Sequence, residues 1–125
     1  MKKPRILSID DEISFTDLLK QYFEPRGYEI DATSGGDRGL GLLRQKKYDI
    51  VLLDLRMAGL NGEKVMEEIK KLNADIEVIF ITAYRDPGKT KERLLKKGAY
   101  AFVEKPITSL KSLEELVNRA AKVNK

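Results

Sequence analysis

The sequence contains no cysteine and no histidine. Without cysteine, neither a disulfide nor a thiolate metal site can form. Without histidine there is no Ser-His or Cys-His nucleophile pair and no imidazole-ligated metal. Any metal chemistry must rest on oxygen ligands, which favours Mg²⁺, Ca²⁺ or Mn²⁺. Long apolar runs are also missing. The start is basic, Met1-Lys2-Lys3-Pro4-Arg5, but the apolar stretch before Asp10 is too short for a signal-peptide core. Nothing approaches the length of a membrane span. These absences point to a soluble, cytoplasmic protein with no membrane partner. The chain also lacks a dominant charge. Its 24 Lys and Arg stand against 20 Asp and Glu, and Lys and Glu alternate along most of its length. The net +4 therefore reads as a mixed solvated surface, and no direct nucleic-acid binding is expected. The main exception runs from Arg85 to Gly98, where Arg85, Lys89, Lys91, Arg93, Lys96 and Lys97 meet only Asp86 and Glu92. That segment is either a solvated face or a docking surface for an acidic partner.

A chain of 125 residues, 42% of them hydrophobic, can build one domain with a real core, residues 1–125. No internal repeat, linker or low-complexity segment divides it. The apolar pattern changes period repeatedly. Ile6 to Ile9 reads as a strand ending at Asp10-Asp11, and Ile13 to Phe23 as a helix with Leu18, Leu19, Tyr22 and Phe23 near one stripe. Tyr28 to Thr33 alternates like a strand with one wetter face. Asp37 to Lys47 is a weak helix, since Gly39 and Gly41 each cost about 1 kcal/mol relative to Ala. Ile50 to Leu53 is continuously apolar, as in a strand buried on both faces, and stops at Asp54. Glu63 to Leu72 is helical, with Val65, Met66, Ile69 and Leu72 on one side. Ile76 to Ile81 is a strand ending at Thr82, and Pro87 to Lys97 a helix. Tyr100 to Val103 is a strand ending at Glu104-Lys105-Pro106, and Leu110 to Val123 a helix. Strict alternation of this kind predicts an α/β fold: an open, doubly wound, five-stranded parallel sheet with five helices.

In such a sheet the strand C-termini line one edge, and ligands bind in the crevice there. Asp10, Asp11, Glu12, Asp54, Thr82 and Lys105 all sit at strand ends and should converge. Clustered carboxylates are stable with a cation between them. Mg²⁺ suits a few carboxylates together with waters and phosphoryl oxygens, and a lysine and a hydroxyl can hold the remaining oxygens. Such a site lowers a phosphoryl-transfer barrier by positioning and charge neutralisation, without histidine. Taken singly, each residue also has a plain role. Asp10 or Asp11 could cap the first helix. Asp54 could be a turn residue, Thr82 a β-branched strand end, Phe102 core, and Lys105-Pro106 an ordinary loop. Gly62 after Asn61 reads as a turn residue without chemistry.

Four blocks carry a family resemblance. Ser8-Ile9-Asp10-Asp11-Glu12, Leu52-Leu53-Asp54-Leu55-Arg56-Met57, Ile81-Thr82-Ala83 and Glu104-Lys105-Pro106 resemble, in order and spacing, the signature blocks of response-regulator receiver domains of two-component signalling. The resemblance runs from about Arg5 to the final helix. It implies a flavodoxin-like strand order 2-1-3-4-5 and a phosphoacceptor at Asp54. It implies metal ligation of Mg²⁺ (or Mn²⁺) by Asp11, Asp54 and the Arg56 backbone carbonyl, with Asp10 acting through water. Lys105, followed by a cis proline bond, and Thr82 correspond to the groups that pair with the phosphoryl oxygens. Thr82 and Phe102 match the switch pair, and Ala83 the small residue that keeps the pocket open. Arg56 and Tyr84 match the positions whose side chains tune the phosphoryl lifetime.

The implied partners are a histidine kinase or phosphotransfer protein as donor, and a downstream protein target or a C-terminal output domain as receiver of the signal. The implied switching face comprises the fourth helix, fifth strand and fifth helix, in a monomer or a phosphorylation-dependent dimer. The implied role is a phosphoaccepting switch rather than an enzyme acting on other molecules. One departure is Ala58, where the family often has proline, which suggests a less rigid loop. An unphosphorylated docking module would be expected to lack an acceptor or acidic residue, and none is missing. An aspartate-nucleophile Mg²⁺-dependent phosphatase usually has a second Asp where Arg56 stands. A flavin-binding protein of similar topology would need a phosphate-cradling loop where Asp10-Asp11-Glu12 would repel the phosphate.

Overall fold

The computed structural model describes residues 2–83 and 88–123. Ten elements alternate along it: β1 (Ile6–Ile9), α1 (Ile13–Phe23), β2 (Ile30–Thr33), α2 (Gly36–Gln45), β3 (Ile50–Leu53), α3 (Gly62–Leu72), β4 (Glu77–Thr82), α4 (Lys89–Lys96), β5 (Ala101–Glu104) and α5 (Leu110–Ala121). The strands form one sheet in the order β2-β1-β3-β4-β5, and every pairing is parallel. The start of α4 expected at Pro87 lies outside the described residues.

The period-two geometry of the strands sorts the core into two layers. Leu7, Ile9, Val51, Leu53, Val78 and Phe80 point to one face and pack with Leu40, Val65, Met66, Ile69 and Leu94. Ile6, Ile50, Leu52, Ile79 and Ile81 point to the other and pack with Leu19, Phe23, Leu113, Val117 and Ala120. Helices α2, α3 and α4 thus cover one face, and α1 and α5 the other. All of β1, β3 and β4 is buried, while the outer strands β2 and β5 are wetter.

Three details differ from the sequence expectation. The buried stripe of α1 is Thr16, Leu19 and Phe23, whereas Leu18 is 44% exposed. Leu18 lies one residue from Leu19, about 100° round the helix and off the core-facing line. On α3, Val65, Met66 and Ile69 fill the core while Leu72, the last residue of the helix, emerges from it. Gly39 is less of a cost than its propensity suggests. A Cβ there would lie 2.3 Å from Ile9 Cδ1, so glycine permits α2 to approach β1 closely.

Polar ties fix the helices. Asn61 caps α3 by accepting from the Lys64 N–H, and Ser109 caps α5 by accepting from the Ser112 N–H. Glu114 on α5 accepts hydrogen bonds from the Tyr22 and Tyr28 hydroxyls, both at 2.8 Å, and Asn118 donates to the Tyr28 oxygen. This cluster joins α5 to the end of α1 and the entrance of β2. On the other face, Glu63 of α3 accepts from Arg93 at 2.8 Å and Lys97 at 2.6 Å. Two members of the basic segment are therefore spent on holding α4 to α3.

Candidate functional site

The register brings the strand ends together. Ile9 pairs with Leu53, so Asp10 and Asp54 leave the sheet side by side. The ladder continues past the strands. The Asp54 N–H donates to the Ile9 carbonyl, the Asp10 N–H to the Thr33 carbonyl, and the Lys105 N–H to the Thr82 carbonyl. These backbone bonds fix where each side chain begins.

The side chains line an open depression of about 1270 Å³. Asp10, Asp11, Glu12 and Asp54 supply four carboxylates to it, against the cationic Lys105 and Arg56. Thr82, 1% exposed, and Ala83 form part of its wall. Lys105 is the hub. Its Nζ lies 2.9 Å from Asp10 Oδ2, 2.9 Å from Glu12 Oε1 and 3.9 Å from Asp54 Oδ2. The same ammonium stands 4.4 Å from the centre of the Phe15 ring. The Lys105-Pro106 bond is cis.

Charge is not balanced here. Asp10 is only 3% exposed. Burial raises its pKa and nearby Asp54 adds to the rise, despite opposing hydrogen bonds from the Glu12 N–H and Lys105. Burial works against the charge on Lys105, but its bonds to Glu12 and Asp10 and the field of Asp10 and Asp54 prevail and raise its pKa. An excess of carboxylate over cation is the environment a divalent ion relieves. Among the described residues no three carboxylates gather closely enough to cage a metal by themselves. A small set of oxygen donors of this kind fits Mg²⁺, which is usually held by one or two carboxylates.

The plain roles are partly realised. Neither Asp10 nor Asp11 caps α1, because its N-cap position is Glu12, which makes no side-chain capping bond. Asp10 Oδ1 instead accepts from the Glu12 N–H at 2.9 Å, which orients the carboxylate. Asp54 Oδ1 accepts from the Arg56 N–H at 3.3 Å, a turn-type bond that coexists with its place in the depression. Phe102 lies outside the depression. It is half-buried, with its ring 6.4 Å from that of Phe80, on the α2-α3-α4 face. Tyr84 lies outside the described residues.

Three residues do more here than their sequence pattern implies. Glu12 is a direct partner of Lys105. The Ala58 N–H donates to Asp11 Oδ2 at 2.9 Å, a bond that proline could not make. Gly62 abuts the candidate acceptor: a Cβ there would lie 2.4 Å from the Asp54 carbonyl oxygen and 2.8 Å from Leu55 Cα. The Asn61-Gly62 pair was the available signal. Gly62 is not a turn residue but the first residue of α3, directly after its N-cap Asn61, and it packs on the loop that leaves β3.

Residues 6–118 match the response regulator receiver domain family, and the chain belongs to that family. It is 36% identical over 102 residues to the transcriptional regulatory protein ZraR of Escherichia coli K12, covering 82% of this chain and 23% of that protein. It is 32% identical over 124 residues to the response regulator SaeR of Staphylococcus aureus, covering 96% and 52%. The chain thus spans about a quarter to a half of the length of these curated relatives. The receiver domain of the Francisella response regulator 1452 superposes with a TM-score of 0.88 at 28% identity, covering 98% of this chain and 100% of that one. The response regulator TrrA of Thermotoga maritima, solved in complex with Mg²⁺-BeF, gives a TM-score of 0.81 at 34% identity, covering 94% and 98%. No helix among the described residues is long and apolar enough to cross a membrane.

Proposed function

We propose that this receiver domain accepts a phosphoryl group on Asp54 from the phosphohistidine of a histidine kinase or phosphotransfer protein. The observation that carries this reading is the convergence of Asp54 with Asp10, Asp11, Thr82 and Lys105 at one open depression. An Asp54 carboxylate oxygen forms a bond to phosphorus as the P–N bond breaks. The imidazole of the donor leaves with the bonding electrons and takes a proton from solvent. Asp11, Asp54 and the Arg56 carbonyl would hold Mg²⁺ (or Mn²⁺), with Asp10 acting through water. Once bound, the ion supplies positive charge to the phosphoryl oxygens. Lys105 and Thr82 are assigned to those oxygens after transfer. Lys105 stands beside the acceptor at ion-pair distance, 3.9 Å, without a direct hydrogen bond to it.

A protein donor is supported by the rim. Leu18, 44% exposed, lines the depression together with Phe15, Pro106 and Ile107, an apolar side that a protein donor can cover. The dianion on Asp54 would favour one of two states through contacts present only in that state. Thr82 and Phe102 are the side chains assigned to that switch, and α4, β5 and α5 the face that responds. Because the relatives are longer, the signal is assigned to an attached output domain or to a separate protein target.

Incubation with Mg²⁺ and acetyl phosphate should add one phosphoryl group by mass spectrometry, and Asp54→Asn should abolish it. Modification elsewhere, or none, would reject the reading and leave a docking module. Bulk at Arg56 and Tyr84 is expected to slow attack of water on the acyl phosphate. Alanine at both positions should speed dephosphorylation, and an unchanged rate would remove that role.

A further inference from the structure

We infer that Glu12 is a positioning residue that competes with the acceptor for the Lys105 ammonium. This rests on the reading of Asp54 as acceptor. An ammonium has three donors. On Lys105 one goes to Asp10 Oδ2 and one to Glu12 Oε1, both at 2.9 Å. The Phe15 ring occupies another side at 4.4 Å. Asp54, at 3.9 Å, lies beyond hydrogen-bond reach. A phosphoryl group arriving on Asp54 can gain a Lys105 donor by displacing an existing partner.

The two carboxylates are unequal candidates for displacement. Asp10 is 3% exposed, and its Oδ1 is held by the Glu12 N–H, so releasing the ammonium would strand a buried charge. Glu12 has 56% of its side chain exposed and can return to water at little cost. Glu12 is therefore the contact that yields. Until it does, it holds Lys105 on the Asp10 side of the depression. The negative charge of Glu12 thus sets a small threshold that the arriving phosphoryl group must exceed.

The test uses Glu12→Ala and Glu12→Gln, each with and without Lys105→Met, with melting temperatures recorded for all. Two quantities are measured: the motion of the Lys105 ammonium by NMR in metal-free protein, and the rate of Asp54 modification by acetyl phosphate. Glu12→Ala should mobilise the ammonium and raise the rate by about twofold to fivefold, the range of a half-exposed ion pair. Glu12→Gln should fall between, and the gain should vanish when Lys105 is Met. An equal gain with and without Lys105 would mean that Glu12 merely repels the anionic donor, which overturns the inference. An ammonium equally ordered in Glu12→Ala overturns it as well. If the unaltered protein takes no phosphoryl group on Asp54, the acceptor reading fails on its own, and the NMR measurement still decides whether Glu12 holds Lys105.

Discussion

Two of the polar clusters described above treat a carboxylate in opposite ways. Around Glu114, two tyrosine hydroxyls donate to one carboxylate. Burial works against its charge, but the bonds from Tyr22 and Tyr28, with the fields of Lys3 and Arg26, prevail and lower its pKa. Around Asp10 the balance runs the other way, and burial with the neighbouring Asp54 keeps its pKa raised. The first cluster satisfies itself and ties α1 to α5. The second holds more negative charge than its own cations neutralise and opens to solvent. A polar group kept for structure closes its hydrogen bonds internally, whereas one kept for chemistry leaves charge for an incoming partner.

Removing one carboxylate from each cluster should therefore have opposite consequences. The largest effect is expected from Asp54→Asn. It should abolish phosphoryl uptake in the mass-spectrometric assay, yet raise stability by about 0.5–1 kcal/mol in urea unfolding, because like charge near Asp10 is relieved. A loss of stability would mean that the acidic edge is already balanced. Gly62→Ala comes next. Its Cβ must push against the Asp54 and Leu55 backbone, so unfolding should show a loss of about 2–3 kcal/mol together with slower phosphoryl uptake. Normal values for both would show that the loop yields freely.

Glu114→Ala should cost about 1–3 kcal/mol by leaving the Tyr28 hydroxyl without its acceptor, while phosphoryl uptake stays unchanged. Impaired uptake with an intact fold would show that the two clusters are coupled. The smallest effect concerns Glu63, whose bonds to Arg93 and Lys97 lower its pKa from 4.5 to about 2. A lowered folded-state pKa stabilises above the unfolded value, so this contribution is lost as pH falls from about 4.5 toward about 2. Acid titration of stability should be shallower in Glu63→Gln by about 1 kcal/mol or less across that window. Identical curves would show that α4 is held by other contacts.

Much of this is legible in the sequence. The continuous apolar runs at Ile50 to Leu53 and Ile76 to Ile81 marked central strands, and the polar residue ending each one marked the functional edge. That edge is readable because parallel α/β topology brings all strand C-termini to one side. The boundaries of the outer strands were less clear, since Tyr28 and Tyr100 continue the apolar pattern one or two residues before the ladder begins. Leu18 departs from the expected stripe because the buried line of α1 runs through Thr16, Leu19 and Phe23, which turns Leu18 toward solvent. The pairings of Glu12 with Lys105 and Ala58 with Asp11 were beyond pattern reading. Both depend on rotamers and loop paths rather than on spacing. Gly62 is visible as a glycine, but its packing on the Asp54 and Leu55 backbone depends on the path of the loop between β3 and α3.

The ladder bonds that run one step past each strand carry a further implication. The backbones of Asp10, Asp54 and Lys105 are placed by main-chain bonds to Thr33, Ile9 and Thr82 of the neighbouring strands. Inserting a single residue into β1 or β3 would turn its terminal aspartate to the opposite side of the sheet, dismantling the reaction centre even if the hydrophobic layers repacked. Heating should likewise remove phosphoryl-accepting capacity along the same curve as the secondary structure, with no temperature interval in which a folded protein has lost its chemistry.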